Sequence, residues 1–389
     1  MPHIYGLDET ASEFASAASR IAADVAASHA AEVDAQAIFP AVSITALAER
    51  GFFGLCVAPD FGGKGQGPRT FAAVVEELAG ACASTAMIYV MHVTAAQAIA
   101  SSSTLSYRDD VLRQIAAGRH LTTLALSEKG SRSQFWAPVS QLVEQNGGYV
   151  TSAAKSWVTA AGRADSYVAS AQRPGAASPL ESTIYFVRRG APGVRVSAGF
   201  DGLGLRGNDS APITIDNLRL VAGDLVSAMG EGAKTMLEVI LPWFAIGTAA
   251  MASGLCRAAL AATSAHLVGQ GFEHSGSRLR DLPNLRARLA QMSVRTEQVR
   301  ALLGYTLGEM ERPSATTPLY VLQTRLASLE AAIDVTDAAM KACGGAAFSK
   351  HLPIERLFRD ARAGWVMAPT VDHLHDFIGR ALTGMELFG

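Results

Sequence analysis

Segments with the composition of β-strands are confined to the middle of this 389-residue chain. Between residues 8 and 120, apolar side chains recur three and four positions apart among frequent Ala, Leu and Glu, which indicates helices. Strand-like runs separated by Pro, Gly and Asp occupy residues 121 to 228, and helical patterns return from Gly232 to the end. The sequence therefore predicts a mainly α fold with a central antiparallel β domain, divided as residues 1–120, 121–230 and 231–389.

Several elements can be predicted individually. Asn146-Gly147-Gly148 separates two strand-like runs between Leu142 and Thr159, which is typical of a β-hairpin. Residues 284–310 and 318–342 have long Ala/Leu-rich patterns, typical of two members of a helical bundle. Further strands are predicted at residues 167–170, 183–187, 194–196 and 213–215.

The charge balance narrows the possible partners. Only 17% of the residues are charged and 49% are apolar, so we expect much surface to be buried between subunits. The formal net charge of −2 gives no reason to expect nucleic acid or an acidic membrane as a partner. The cysteines form no CxxC pair, which indicates thiols in a reducing compartment and hence a cytoplasmic location. They are Cys56, Cys82, Cys256 and Cys343.

One apolar segment is long enough that it could be either a membrane-spanning helix or a buried core helix. Val239–Cys256 contains eighteen residues without a charge, close to the shortest length that can cross a bilayer. Pro242 interrupts the segment, and Gly247, Gly254 and several alanines keep it only mildly hydrophobic. We therefore expect a buried core helix and no membrane span.

Two short motifs in the β part carry polar and aromatic groups. Leu126-Ser127 opens a turn that runs to Ser133, and such turns offer backbone N–H groups and hydroxyls to an anion or a carbonyl edge. A surface loop would have the same composition. Trp157 and Thr159 lie two residues apart on a predicted strand, so we expect their side chains on one face. A packed aromatic on a half-buried strand would give the same pattern.

The segment Cys343–Arg362 has the sequence Cys-Gly-Gly-Ala-Ala-Phe-Ser-Lys-His-Leu-Pro-Ile-Glu-Arg-Leu-Phe-Arg-Asp-Ala-Arg. It closely resembles the closing signature of the acyl-CoA dehydrogenase family, flavoproteins that oxidise acyl thioesters. The turn at 126–133 is similar to that family's Thr-Glu-Pro-Gly-x-Gly-Ser-Asp loop, and residues 155–159 to its Lys-x-Trp-Ile-Thr run. Residues 202–210 resemble a late segment of its β domain, which we expect to be a turn anchored by Arg206 and Asp209. The resemblance implies a helical domain, a β barrel-like domain and a C-terminal four-helix bundle.

The resemblance also implies FAD and a set of contacts to it. Ser127 takes the place of a hydroxyl residue that bonds the flavin ring, and Ser133 that of a serine near the pyrophosphate. Trp157 would pack on the flavin, and Thr159 would hydrogen-bond near its reactive edge. Gly344-Gly345 is similar to a turn that lies against the FAD of a neighbouring subunit, which implies a homo-oligomer, dimer or tetramer. The predicted cofactor-binding set is completed by Leu126, Thr370 and Asp372, the last near the adenosine.

The chain departs from the family at the catalytic base. Where most members carry a glutamate followed by Gly-Thr, this chain has Ala368-Pro369-Thr370. An alternative glutamate position on an earlier core helix falls within residues 241–246, which contain no carboxylate, and a CoA-binding arginine falls at Ala245. Lys341 replaces a glutamine before the Gly-Gly turn, and only Gly276 remains of an Arg-x-x-Phe-Gly segment. The candidates for a relocated base are Asp372, His373, His375, Asp376 and His92.

Three functions therefore stay open. The first is FAD-dependent α,β-dehydrogenation of an acyl thioester with a non-standard base, the electrons passing to an electron-transfer partner. The second is a flavin-dependent monooxygenase on the same fold, which uses oxygen and needs no carbanion-forming base. The third is a non-catalytic relative that keeps the fold. The retained Trp157 and Thr159 favour the first.

Overall fold

In the computed structural model, which describes residues 3–388, the chain is helical up to Ala116. The helices are α1 (Glu9–Ile21), α2 (Ala27–Gln36), α3 (Ala41–Glu49), α4 (Pro68–Ala81), α5 (Ala83–Ala100) and α6 (Arg108–Ala116). Asp8 caps α1 by accepting a hydrogen bond from Ala11 N at 2.8 Å. Pro68 is the first residue of α4, where a backbone N–H would have no acceptor within the helix, so proline costs no hydrogen bond there. Helix α5 is buried on nearly all sides, so it forms the interior of this part.

Two β-sheets follow in the described chain. The strands are β1 (Thr122–Ala125), β2 (Leu142–Gln145), β3 (Gly148–Val158), β4 (Ser166–Gln172), β5 (Ser182–Arg188), β6 (Val194–Val196) and β7 (Ala211–Leu220). They are ordered β1-β4-β5 in one sheet and β2-β3-β7-β6 in the other. The predicted hairpin is confirmed, since Gln145 pairs with Gly148 where β2 turns into β3.

The pairing of β1 with β4 differs from the expected antiparallel arrangement. Thr122 aligns with Ser166 and Ala125 with Ala169, so these two strands run parallel, whereas the other pairs are antiparallel. Between β1 and β4 the chain crosses to the other sheet, forms β2 and β3 there, and returns. A connection of that length allows the return in the same direction, which a tight turn cannot do. The β domain is therefore mixed.

Helices resume after the sheets and confirm the two predicted bundle members. The helices are α7 (Gly232–Thr235), α8 (Leu241–Gly269), α9 (Pro283–Glu311), α10 (Thr317–Phe348), α11 (Ile354–Ala361), α12 (Ala363–Val366) and α13 (Val371–Leu382). A π-helical turn at Met236–Ile240 leads into α8, which packs against α4, α9 and α10. The mainly α fold with a central β domain is thus confirmed.

Two helical stretches are long and apolar enough to cross a membrane, namely Ala83–Ala100 and Gly232–Gly269. Their most apolar windows are 89% and 78% buried inside the protein, as is usual for core helices. The prediction of a buried core helix at 239–256 is confirmed, because Phe244 to Cys256 are buried throughout. The cysteines are free thiols in the described chain, with Cys56 partly exposed and the others buried.

Candidate functional site

The turn after β1 lies against strand β3, which brings two of the predicted motifs together. The carbonyl of Ser127 accepts a hydrogen bond from Ser156 N at 2.9 Å, and Lys129 N donates to the carbonyl of Ala154 at 3.0 Å. The side chain of Leu126 points into the core, so only its backbone can face a cofactor. Ser127 and the end of β3 thus form one continuous edge of the β domain.

A buried ion pair fastens this turn to the sheet. Lys155 Nζ lies 2.6 Å from Glu128 Oε1 and also donates to the carbonyl of Ser170 at 2.6 Å. The other oxygen of Glu128 accepts from Val139 N and Ser140 N, both at 2.7 Å. Burial pushes the pKa of Glu128 up, but the Lys155 charge and these hydrogen bonds outweigh it, so its pKa is lowered. The pair fixes the position of the turn.

The alternation of residues along β3 is a sequence signal for this pair. Thr151, Ala153 and Lys155 alternate along β3 and are all buried, so they share the inner face of the strand. A lysine on an inward-facing position needs an internal anion, because an unpaired buried charge is costly. Glu128 supplies that anion.

The prediction that Trp157 and Thr159 share one strand face is wrong. The register of β3 against β7 shifts between Lys155 and Val158, and Trp157 adopts a positive φ of 55° in this bulge. The bulge turns the indole outward, where it is 58% exposed, while Thr159 lies beyond the strand end and is buried. The indole stacks on Phe200 with ring centroids 3.9 Å apart and planes 20° apart. One face of this aromatic pair is therefore open to a flat ligand.

The loop at 131–136 connects the β domain to the last helix. Arg132 and Ser133 are consecutive residues with positive φ, 49° and 68°, which sharply turns the backbone. The turn sends Trp136 inward, with its ring centroid 5.5 Å from that of His373 and 5.4 Å from that of Phe377 on α13. Thr370 caps this helix by accepting from His373 N. Ser133 is thereby linked through Trp136 to the helix that carries Thr370 and Asp372.

Gly344 and Gly345 lie apart from these groups, on the exposed end of α10. Gly344 breaks the helix with φ 52° and ψ −129°, a conformation that side chains disfavour. A Cβ added at either glycine would meet no atom of residues 3–388 within 4 Å beyond its own helix. The space above the turn is therefore free for an approaching group from outside this chain.

The closing signature joins all three parts of the protein. Arg359 forms an ion pair with Asp34 of α2 at 2.5 Å and donates to the carbonyl of Leu203 at 3.0 Å. Asp360 is buried and accepts a hydrogen bond from Leu205 N at 2.6 Å, and burial raises its pKa to about 6. The neighbouring turn is anchored as predicted, since Asp209 accepts from Gly162 N at 2.8 Å and Arg206 donates to the carbonyl of Asp34 at 2.9 Å.

Family models match almost the whole chain. The acyl-CoA dehydrogenase N-terminal domain matches residues 8–119, the middle domain residues 123–218 and the C-terminal domain residues 230–383. The chain belongs to the acyl-CoA dehydrogenase family. This assignment confirms the predicted family and the oxidoreductase class. A solved structure of the same fold, at a TM-score of 0.89 and 20% identity, is an FAD complex of PigA, which agrees with the predicted cofactor.

Individual relatives agree with this assignment. The chain is 27% identical over 333 residues to an acryloyl-CoA reductase (NADH) of Anaerotignum propionicum, covering 85% of this chain and 84% of the relative. It is also 27% identical over 334 residues to the bovine mitochondrial short-chain specific acyl-CoA dehydrogenase, covering 86% and 80%. The butyryl-CoA dehydrogenase of Megasphaera elsdenii superposes with a TM-score of 0.92 at 22% identity, covering 97% of this chain and 99% of that one.

The sequence resemblance aligns the family's two base positions with Ala368 and with residues 241–246, which contain no carboxylate. Ala368 is partly exposed between α12 and Pro369, and on α8 the corresponding stretch presents Phe244 and Ala245, both buried. Arg325 on α10 is an ionisable group beside both stretches, since it donates to the carbonyl of Met367 at 2.9 Å and lies 4.8 Å from the ring centroid of Phe244. Sequence patterns did not reveal Arg325, because it occupies an ordinary position on a long helix.

Three of the five candidate bases are occupied elsewhere. His92 is fully buried, its Nε2 3.1 Å from the carbonyl of Phe53 and its Nδ1 accepting from Thr122 N, and burial lowers its pKa to about 4. His375 pairs with Glu330 at 3.1 Å and Asp376 with Arg380 at 2.8 Å, both near the surface. The geometry leaves Asp372, which is exposed, and His373, which packs against Trp136.

Proposed function

We propose that this chain holds FAD between the outer edge of the β domain and the start of α13, and that it oxidises an acyl thioester there. The observation that carries this proposal is the outward-turned Trp157, stacked on Phe200 beside the Ser127 turn, in a chain that matches the family from residue 8 to residue 383. An exposed, stacked indole at this edge fits a flat aromatic ring system.

Different residues of the chain would bind different parts of FAD. Trp157 would support the ring system, while Ser127 and Thr159 would hydrogen-bond its edge and Ser133 the pyrophosphate region. Thr370 and Asp372 would close the site from α13, and Gly344-Gly345 would approach the cofactor held by a second copy of the chain. FAD, when bound, supplies the two-electron acceptor for carbon–carbon oxidation.

Oxidation of an acyl thioester requires a base that removes the α-proton, and this chain has no glutamate at the positions where the family resemblance places that base. Ala368 and Phe244 cannot accept a proton, so an acyl-thioester dehydrogenase of this sequence would use Asp372 or His373. The same observation favours a second candidate function, oxygen-using flavin chemistry, because that reaction needs no base at either position.

Anaerobic mixing of the purified, FAD-loaded protein with a panel of acyl-CoA thioesters tests the first function. Bleaching of the flavin absorbance by at least one thioester is the expected result. If no thioester bleaches the flavin, but reduced flavin consumes oxygen faster when a thioester is added, the second function is correct. If the flavin responds to neither treatment, both are wrong and the chain is a non-catalytic member of the family.

We further propose that the protein works as a homo-oligomer in the cytoplasm, with a separate electron-transfer protein as its redox partner. The open space above Gly344-Gly345 and the 82% exposed Phe348 that follows support an interface at this end of α10. Free, mostly buried thiols support a reducing compartment.

A further inference from the structure

Arg325 is the most deeply buried charged side chain beside the two base positions. Its side chain is fully buried within α10, yet only Nη2 has a hydrogen-bond partner, the carbonyl of Met367 at 2.9 Å. Nε and Nη1 have no hydrogen-bond partner among residues 3–388, and no carboxylate of that part of the chain pairs with the guanidinium. Burial lowers the pKa of Arg325 to about 9, which still leaves it protonated at neutral pH.

A second unsatisfied polar group lies on the same face of the helix. Ser328 is one turn further along α10, and residues three apart are neighbours on a helix surface. Its hydroxyl is buried and has no hydrogen-bond partner in the described chain. Arg325 and Ser328 therefore offer N–H and O–H donors that nothing in the described protein accepts.

An unpaired buried guanidinium is unfavourable and has to be compensated. A buried charge without its partner destabilises the folded protein by several kcal/mol. Arginine does not relieve this cost by losing its proton at neutral pH. The ring of Phe244 offsets a part through its π face, since the guanidinium carbon lies 4.8 Å from the ring centroid. The bidentate edges of a guanidinium are Nε–Nη2 and Nη1–Nη2. Because Nη2 carries a second N–H besides the one given to Met367, one of these edges can meet a carboxylate that it matches in shape as well as in charge.

We propose that Arg325, with Ser328, forms an anion subsite that selects acyl thioesters carrying a second carboxylate on a short acyl chain. This inference rests on the proposed function, since the subsite lies where Met367 and Phe244 border the family's base positions. A carboxylate near the reacting carbons belongs to a dicarboxylic acyl group of about four or five carbons. Arg325 is thus a specificity-determining residue that makes this part of the site cationic.

Two pairs of thioesters of equal chain length test the inference, succinyl-CoA against butyryl-CoA and glutaryl-CoA against pentanoyl-CoA. Each pair differs only in a terminal carboxylate in place of a methyl group. Affinities are measured by anaerobic calorimetry on FAD-loaded protein kept reduced, so that no turnover occurs. The expected result is at least one pair in which the dicarboxylic member binds about ten- to a hundred-fold more tightly, as a charged hydrogen-bonded contact provides.

Three variants separate recognition from a structural role. Arg325→Met should bring the affinity ratio close to one while changing the affinity of the monocarboxylic thioester little, and Arg325→Lys should keep a few-fold preference. Arg50→Met, at an exposed arginine on the C-terminal end of α3, should leave the ratio unchanged. Without ligand, Arg325→Met should unfold at the wild-type temperature or above it, because it removes an unpaired buried charge.

Equal affinity for both members of both pairs overturns the inference and leaves the proposed function intact. A preference that survives in Arg325→Met also overturns it, because the selecting group then lies elsewhere. If Arg325→Met does not fold, Arg325→Lys provides the test. An undiminished preference of Arg325→Lys for the dicarboxylic thioester would refute the role of the guanidinium. Failure of all four thioesters to bind also overturns the inference, whereas the proposed function is overturned only if no thioester of the anaerobic panel bleaches the flavin.

Discussion

Replacing Lys155 with methionine tests whether the buried ion pair holds the Ser127 turn on β3. Methionine removes the charge, so Glu128 keeps its hydrogen bonds from Val139 N and from Ser140 N and Oγ but loses its cation. Breaking a buried pair in this way costs about 3–5 kcal/mol. With an unfolding entropy of about 2.1 cal/mol/K per residue, the 389 residues would melt about 4–6 °C lower if they unfold as one unit.

Thermal and denaturant unfolding of FAD-loaded protein measure the effect. Lys129→Met is the matched control, because this lysine lies on the same turn with its side chain exposed, and it should change the unfolding free energy by less than about 0.5 kcal/mol. Glu128→Gln completes a double-mutant cycle. The loss of unfolding free energy in the double variant should be about 1–3 kcal/mol smaller than the sum of the two single losses, because neither charge is then left unpaired.

Two results would refute this reasoning. One is a Lys155→Met protein that differs from wild type by no more than the Lys129→Met control. The other is a cycle in which the two single effects simply add, which would mean that the two side chains do not interact. A normal FAD content in a destabilised Lys155→Met protein would show, in addition, that the turn keeps its cofactor contacts without the ion pair.

Further substitutions test the other parts of the site. Trp157→Ala removes the exposed indole and should lower the flavin-to-protein absorbance ratio after gel filtration, and an unchanged ratio would contradict the role of this side chain as the flavin support. Gly345→Ala should leave the FAD-free protein as stable as wild type or up to about 1 kcal/mol more stable, since alanine favours a helix, yet it should reduce FAD retention; full retention would exclude a close approach of the cofactor. Asp360→Asn should flatten the pH dependence of stability. Because the pKa of Asp360 is raised from 3.8 to about 6, the folded protein binds this proton more tightly than the unfolded chain, so the unfolding free energy of wild type should fall as the pH rises through this window. Urea titrations between about pH 4.5 and pH 8 would contradict this if both proteins showed the same slope. Light scattering of FAD-loaded protein should give the mass of a dimer or tetramer, and a monomeric mass would rule out the cross-subunit role of Gly344-Gly345.

Local features of the sequence were sufficient for most of the architecture. The Asn146-Gly147-Gly148 turn fixes its hairpin because Asn146 and Gly147 adopt the positive φ angles that most residues avoid. The long Ala/Leu patterns of α9 and α10 bury one face of each helix. The eighteen uncharged residues at 239–256 are a core helix because mild hydrophobicity suits close helix packing. The family is recognised by the resemblance of segments such as Cys343–Arg362 to its signature, and that resemblance implies the cofactor.

The tertiary structure alone decided which of these residues are exposed and which are buried. A one-residue bulge in β3 turns Trp157 outward, and a strand pattern with period two cannot predict where the register shifts. The parallel pairing of β1 with β4 and the Glu128–Lys155 pair depend on contacts between residues far apart in sequence. The same holds for Arg325, whose Nη2 donates to Met367 while Nε and Nη1 have no hydrogen-bond partner in the described part of the chain. Local composition determines which elements form, whereas burial and pairing of charges depend on what those elements meet when they pack.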